Sequence, residues 1–154
     1  MTSPVRIETV PLDGPAGAQL IAEFVAEISP RYPGWTPASG PSAEPHEFVP
    51  PDGCFVVASV DGAPVGCGGY KRIGDDAAEI KRVYVRPDGR GRGVARAMLE
   101  HLESSARDAG YAFMRLDTGD QQPDALALFD SSGYTRIADY NGNEFASYWF
   151  EKQL

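Results

Sequence analysis

Near the middle of the chain the sequence reads VYVRPDGRGRGVA, residues 83–95. Its alternating apolar residues predict the end of a β-strand, Arg86-Pro87-Asp88-Gly89 predicts a stop, and Gly91 is predicted to open a helix that runs to about Ala109. A helix N-terminus leaves backbone N–H groups unpaired and carries partial positive charge, and glycines let the backbone approach an anion closely. The stretch therefore predicts a site for a phosphate-bearing ligand at the start of this helix. A glycine-rich connection that binds nothing is the alternative that these residues leave open.

The segments on both sides predict a mixed sheet with helices on its faces, an α/β fold of the α+β mixed-sheet kind in one domain over residues 1–154. Strands are expected at 5–9, 54–60, 63–72, 77–85, 113–118, 134–138 and 145–152, and helices at 16–29, 91–109 and from Pro123 to Gly133. The strands between 54 and 85 form an antiparallel meander that feeds a βαβ crossover. Strands 77–85 and 113–118 are therefore predicted to be parallel neighbours.

Residues 30–53 differ in composition from the rest of the chain. Seven of the thirteen prolines lie between residues 30 and 51, together with Tyr32, Trp35 and His46. Such a segment is typical of a long ordered loop or of a flexible lid rather than of a helix or strand.

Only two cysteines are present, Cys54 and Cys67, which excludes a disulfide framework and a zinc site of several thiolates, so no metal is expected. If Asp61-Gly62 is a two-residue hairpin turn, residue 56 faces Cys67, and Cys54 is a diagonal neighbour of Cys67 at roughly 7–8 Å. That separation is too large for an easy disulfide, and both residues are predicted to be buried.

The formal net charge of −8 argues against nucleic acid as a partner. Residues 71–96 are an exception, because they hold eight basic and four acidic side chains. A positive segment on an acidic chain suggests a small polyanionic ligand, and a solvated charged surface is the plainer alternative. No apolar run approaches the ~20 residues of a membrane span, and the first residues lack the pattern of a secretory signal, so a cytoplasmic protein without a membrane partner is expected.

Residues 90–95, RGRGVA, fit the pattern Arg/Gln-x-x-Gly-x-Gly/Ala, and residues 125–134, ALALFDSSGY, are similar to the pattern Ala-x-x-Leu-Tyr-x-x-x-Gly-Phe/Tyr. Together the two motifs resemble those of the GNAT superfamily of N-acetyltransferases. The first motif is not a dinucleotide fingerprint, because Arg96 stands where Gly or Ala is required. The resemblance implies the GNAT-like acyl-CoA N-acyltransferase fold.

The resemblance implies acetyl-CoA as cosubstrate and transfer of its acetyl group to a primary amine by direct attack. Backbone N–H groups from Gly91 to Arg96 would hold the pyrophosphate, and a bulge would splay the strand that carries Val83 and Val85 away from strand 113–118. A backbone N–H near Val85 would meet the thioester carbonyl. The cofactor-binding residues implied are Val83, Tyr84, Val85, Arg90, Gly91, Arg92, Gly93, Val94, Ala95, Arg96, Thr118, Leu128 and Phe129.

The catalytic residues follow less directly from the resemblance. Glu79 is the candidate general base, and a surface carboxylate or an ion pair with Lys81 or Arg72 is the alternative for it. Phe129 stands where the family usually has the tyrosine that protonates the leaving thiolate. Another hydroxyl could act instead, water could act, or the acid could be dispensable; the hydroxyls considered are those of Tyr134, Tyr140 and Ser132. A catalytically silent acyl-CoA-binding domain with a sensing or regulatory role is therefore the alternative to the enzyme.

The acceptor is expected to enter between the Pro-rich segment and the last hairpin. Tyr32, Trp35 and His46 are the candidate substrate-binding residues. An acidic, aromatic mouth suited to a cationic amine, of a small molecule or a peptide, is expected from Glu44, Glu47, Asp139 and Glu144. A homodimer built through the final strand is a further expectation.

Overall fold

The computed structural model describes residues 3–154 as a seven-stranded mixed sheet with helices on both faces. The strands are β1 (Val5–Thr9), β2 (Cys54–Val60), β3 (Ala63–Arg72), β4 (Ala77–Val85), β5 (Phe113–Thr118), β6 (Thr135–Ile137) and β7 (Tyr148–Gln153). The α-helices are α1 (Pro15–Ile28), α2 (Val94–Asp108) and α3 (Pro123–Asp130). The strand order is β1-β2-β3-β4-β5-β7-β6, and β4 and β5 run parallel. The predicted meander, crossover and element order are confirmed.

Helix α2 begins three residues later than predicted. Gly91 and Gly93 have φ values of +79° and +76°, in the left-handed region that a right-handed helix cannot contain. Gly93 is therefore the N-cap, and the helix starts at Val94. The glycine-rich stretch stays outside the helix as a loop that leads into its N-terminus.

The sheet divides the core into two clusters. On one face, α2 packs Met98 and Leu102 against Met114, Leu116 and Phe150 of β5 and β7. On the other face, α1 and the Pro-rich segment pack a second group, made of Leu20, Phe24, Phe48, Phe55, Cys67 and Tyr84. We call these the α2 face and the α1 face.

Strands β4 and β5 pair over only three residues before they separate. Ala77–Glu79 face Phe113–Arg115, and no further pairs follow. Beyond that point β4 carries a bulge, because its register with β3 shifts and Arg82 has a φ of +61°. The splay that the resemblance implied is confirmed, and it opens the sheet next to the glycine-rich loop.

The Pro-rich segment is a long ordered loop held against the sheet, which is one of the two structures predicted for it. It contains two short 3₁₀ turns, Ser29–Arg31 and Pro45–Phe48, and Phe48 is buried between strands and loop. Buried Lys71 holds the segment on β3, because its Nζ lies 3.2 Å from a carboxylate oxygen of Glu47.

The final strand is not an edge of the sheet. β7 is paired with β5 on one side and with β6 on the other, and the strands at the two edges are β1 and β6. Over Trp149–Glu151 the backbone of β7 is already paired with a strand on each side. The predicted dimer, in which two final strands pair with each other, does not fit this arrangement. Within residues 3–154 no helix is long and apolar enough to cross a membrane.

The predicted neighbourhood of the two cysteines is wrong. A register shift between Ala58 and Ser59 places Val57, rather than residue 56, opposite Cys67. One residue of slip exchanges the two faces of a strand. Cys54 consequently packs in the α2-face cluster and Cys67 in the α1-face cluster, and both are free thiols.

We predict that neither thiol reacts in the native protein. Burial raises the pKa of the Cys54 thiol and raises the pKa of Cys67 to about 12, so the reactive thiolate is scarce at pH 8 and access is blocked. Iodoacetamide followed by mass spectrometry is expected to modify neither residue in the folded protein and both in concentrated urea. Rapid native alkylation at Cys67 would contradict this packing.

Candidate active site

A cavity of 640 Å³ lies where β4 and β5 separate. Its walls come from α1, the Pro-rich segment, the bulged part of β4, the glycine-rich loop, the first turn of α2, the end of β5, and α3. The splayed strands thus bring residues from both faces of the sheet into one space.

One end of the cavity is formed by the N-terminus of α2. The first intrahelical bond runs from the Ala97 N–H to the Gly93 carbonyl, so the N–H groups of Val94, Ala95 and Arg96 have no partner within the helix. No side chain caps them, and the first turn holds no acidic residue. A Cβ added at Gly91 or Gly93 would meet nothing within 4 Å, so open space lies beside these amides. Unpaired amides beside open space at a positive helix end fit a bound pyrophosphate.

The arginines of this loop are mostly occupied by the protein itself. Arg90 donates to the Val85 carbonyl at 3.0 Å and forms an ion pair with Glu27 of α1. Arg96 donates to the hydroxyls of Ser131 and Ser132 after α3. Both line the cavity, whereas Arg92, also predicted to bind the cofactor, is exposed and is not part of the wall.

The other predicted cofactor residues line the cavity, grouped by the face of the sheet from which they reach it. Val83 and Val85 of β4 pack with the α2-face cluster, as do Leu128 and Phe129 of α3. Tyr84, between the two valines, belongs to the α1-face cluster. Thr118 at the end of β5 completes the wall. The two valines, Leu128 and Phe129 make this part of the wall apolar.

Glu79 lies behind the cavity wall, with 1% of its surface exposed. Its Oε2 accepts hydrogen bonds from the Tyr140 hydroxyl and, at 3.2 Å, from Asn141 Nδ2. Its Oε1 lies 3.2 Å from Lys81 Nζ, but the direction of approach makes no hydrogen bond, and this oxygen has no hydrogen-bond partner among the described residues. The Lys81 contact is therefore electrostatic, and this oxygen is a buried acceptor that lacks a hydrogen bond from the described residues.

Asp117 of β5 is a second carboxylate, and it does line the cavity. Its two oxygens accept from the side-chain amides of Asn141 and Asn143. Asn141 bridges Asp117 and Glu79, and its own Oδ1 accepts from the Trp149 indole at 3.0 Å, which fixes the orientation of the amide. Asp117, Asn141 and Asn143 were not predicted from the sequence. The signal that could have indicated them is a polar residue at the end of β5 together with the Asn141-Gly142-Asn143 turn.

The two tyrosines predicted as weak catalytic candidates are outside the cavity wall. The Tyr134 hydroxyl donates to Glu103 at 2.8 Å on the α2 face, and burial together with that carboxylate raises its pKa. Burial and Glu79 likewise raise the pKa of Tyr140, whose proton is held by Glu79. Neither hydroxyl is placed to protonate a leaving group, so the assignment of both as acids is wrong on geometry.

The acceptor side differs from the predicted acidic mouth. Tyr32 and Trp35 line the cavity, and the Tyr32 hydroxyl accepts from the Gln121 N–H at 3.0 Å. His46 is exposed and is not part of the wall. The four acids that were expected to form the mouth, Glu44, Glu47, Asp139 and Glu144, are not part of the wall either. Three of them are exposed, whereas the carboxylate of Glu47 is held by buried Lys71. The charged residues of the wall include Lys81 and Arg82 together with the acids Glu27, Asp117 and Asp124.

A sheet split beside an uncapped helix N-terminus is the arrangement expected of an acyl-CoA-type transferase fold, and comparisons with known proteins agree. The chain matches the acetyltransferase (GNAT) family over residues 21–134. It is 32% identical to an IAA acetyltransferase of Azospirillum brasilense, over 90% of this chain and 91% of that protein. It is also 32% identical to the N-alpha-acetyltransferase RimI of Mycobacterium tuberculosis (strain ATCC 25618 / H37Rv), over 79% of this chain and 75% of that protein.

A solved structure gives the same result for the fold. A protein of Klebsiella pneumoniae subsp. pneumoniae MGH 78578, assigned to the acyl-CoA N-acyltransferases, superposes with a TM-score of 0.78 at 26% identity, and 97% of each chain is covered. The chain belongs to the GNAT family of acetyltransferases, as its two motifs had indicated. It is an enzyme of the acetyl-CoA-dependent acyltransferase class.

We predict that Tyr134→Phe affects stability and not catalysis. The change leaves the buried Glu103 with Lys152 as its remaining partner, so urea unfolding is expected to show a loss of about 1–3 kcal/mol. The kcat for acetyl transfer and the Kd for acetyl-CoA are expected to stay at wild-type values. A tenfold fall in kcat at unchanged stability would show that Tyr134 takes part in catalysis.

Proposed function

We propose that this enzyme transfers the acetyl group of acetyl-CoA to a primary amine of a small molecule or peptide. The observation that carries the proposal is a single cavity that joins an uncapped helix N-terminus to Asp117, with Glu79 buried behind its wall and bridged to Asp117 by Asn141. When bound, acetyl-CoA supplies a thioester whose acetyl carbon forms a bond to the amine nitrogen as the carbon–sulfur bond breaks. The other part of the proposal is how this chain binds the two substrates and moves the protons.

The cofactor half is the part of the cavity on the α2 face. The backbone N–H groups from Gly91 to Arg96 hold the pyrophosphate, because they are unpaired, lie beside open space and stand at the positive end of α2. Val83, Val85, Leu128 and Phe129 pack along the pantetheine. A backbone N–H near Val85 stabilises the charge that develops on the carbonyl oxygen.

The two carboxylates have different roles. Both oxygens of Asp117 are held by asparagine amides, so Asp117 acts as a fixed negative charge that attracts the protonated amine. The Oε1 of Glu79 has no hydrogen-bond partner, so Glu79 is the group that accepts the proton of the amine, through a water because it lies behind the wall. Tyr140 is a positioning residue that orients Glu79 by donating to its other oxygen.

The leaving thiolate needs no dedicated tyrosine. Phe129 has no proton to give, and it is fixed between Tyr134 and Phe150 as part of the apolar wall. A thiol with a pKa near 8.5 leaves as the thiolate without assistance and takes its proton from water. Phe129 is also the one feature that favours a silent acyl-CoA-binding domain. The buried Glu79, which is bridged to Asp117 of the cavity wall by Asn141, supports the enzyme instead.

The cofactor half is tested by Gly93→Ala with Gly62→Ala as a matched control. Both glycines have a positive φ, +76° and +80°, and a Cβ at either meets nothing within 4 Å, so each change imposes the same conformational cost. Gly62 lies in the β2–β3 turn, away from the cavity. Calorimetric titration is expected to show a Kd for acetyl-CoA about 5- to 30-fold higher for Gly93→Ala and unchanged for Gly62→Ala. Equal affinities in both variants, or no binding by the wild type, would refute the assignment.

The proposed role of Glu79 as the general base is tested by Glu79→Gln. The amide still accepts from Tyr140 but cannot take up a proton, so kcat in a thiol-release assay over an amine panel is expected to fall about 10²- to 10⁴-fold while acetyl-CoA binds normally. Glu100→Gln, an exposed position on α2, is the control. Acetyl-CoA binding with an unchanged kcat in Glu79→Gln would exclude Glu79 as the base, and binding without turnover of any amine by the wild type would favour the silent domain.

We also expect a cytoplasmic protein, which cell fractionation would test. A homodimer stays a prediction without an assigned surface, and the mass of the protein in solution would decide it.

A further inference from the structure

The acceptor side of the cavity contains an arginine without an acidic partner. Arg82 sits at the bulge of β4 and lines the cavity. Its guanidinium carbon lies 6.0 Å from the ring centres of both Phe24 and Trp35, and one nitrogen donates to the Pro37 carbonyl at 3.0 Å. These contacts orient the group and leave most of its five N–H donors unused.

Of the other four basic side chains of the wall, three have an acidic partner. Lys81 pairs with Glu79, and Arg31 and Arg90 pair with Glu27. Arg96, at the pyrophosphate end, is bonded to two serine hydroxyls. No carboxylate of residues 3–154 lies within 4.0 Å of the Arg82 guanidinium. Burial lowers the pKa of Arg82, which reflects a charge that has lost part of its water.

The position of Arg82 separates it from the cofactor half. Phe24 and Trp35 belong to the α1-face cluster, whereas the valines and the α3 residues proposed to hold pantetheine pack with the α2 face. An anion that approaches Arg82 therefore comes from the acceptor and not from the pyrophosphate. Asp117 provides the opposite charge in the same cavity, with no basic side chain of the described residues within 4.0 Å.

From the positions of Arg82 and Asp117, opposite charges on the acceptor side that have no ion-pair partner among the described residues, we infer that the acceptor carries a carboxylate besides its amine, and that Arg82 binds this carboxylate. The inference rests on the proposed acetyl transfer and specifies its acceptor class. A guanidinium matches the two oxygens of a carboxylate in a bidentate manner, and one arginine balances one negative charge. Asp117 receives the ammonium end before it loses its proton. The acceptor is accordingly a small zwitterion of the amino-acid type, with aromatic or apolar character where it contacts Trp35 and Phe24.

The kinetic test compares each α-amino acid with its own α-amide in the thiol-release assay. For any side chain that is turned over, the wild type is expected to prefer the acid by at least about 10-fold in kcat/KM. Arg82→Gln is expected to abolish the preference by lowering kcat/KM for the acid and sparing the amide. Arg107→Gln, an exposed arginine at the end of α2, is the matched control and keeps the wild-type ratio. If Arg82 has a purely structural role, Arg82→Gln lowers kcat/KM for the acid and the amide together, and that result would overturn the inference.

A binding measurement decides the question if the panel contains no acceptor. 3-Phenylpropionate and 3-phenylpropionamide are titrated into the protein saturated with coenzyme A. The carboxylate is expected to bind about 10-fold more tightly than the amide to the wild type and to Arg107→Gln, and with no preference to Arg82→Gln. Equal binding of the two compounds by the wild type would overturn the inference while acetyl-CoA binding persists. Loss of coenzyme A binding itself would instead remove the proposed function, so the two failures are distinguishable.

Discussion

The separation of β4 from β5 depends on the bulge at Arg82. A non-glycine residue at a φ of +61° costs on the order of 1–3 kcal/mol, and the surrounding contacts must hold it there. The Pro37 carbonyl and the rings of Phe24 and Trp35 contact the guanidinium of Arg82, so α1 and the Pro-rich segment pack beside the bulge. The bulge ends the parallel pairing after Glu79, and the resulting gap makes the cavity open to both faces of the sheet.

The positive segment at 71–96 serves two purposes. Arg86 and Arg90 pair with Glu23 and Glu27 of α1, which fastens the glycine-rich loop to the opposite side of the cavity. In the proposed function the backbone amides of that loop bind the pyrophosphate, and the paired arginines keep the loop in place. Partly exposed ion pairs contribute little stability individually, so their main effect is on geometry.

Much of the fold was predictable because it depends on local patterns. The alternation of apolar residues indicated the strands, and the glycines of 89–93 indicated the loop before α2. The errors arose where a single backbone irregularity changed the result. Two left-handed glycines moved the start of α2 to Val94, and a register shift at Ala58 put Cys54 and Cys67 on opposite faces. Periodicity alone does not reveal either irregularity.

By itself the sequence determined the order of the elements, the parallel β4–β5 pair, the glycine-rich helix start and the absence of a hydroxyl at Phe129. These follow from short-range sterics, side-chain periodicity and residue chemistry. The tertiary structure alone decided which charged groups meet: Tyr140 and Asn141 reach Glu79 from more than sixty positions away, and Asn141 joins it to Asp117. It also kept the acids expected at the mouth out of the cavity wall and placed Arg82 there. Contacts between distant segments depend on how loops close over a splayed sheet, and no local pattern in the chain encodes that closure.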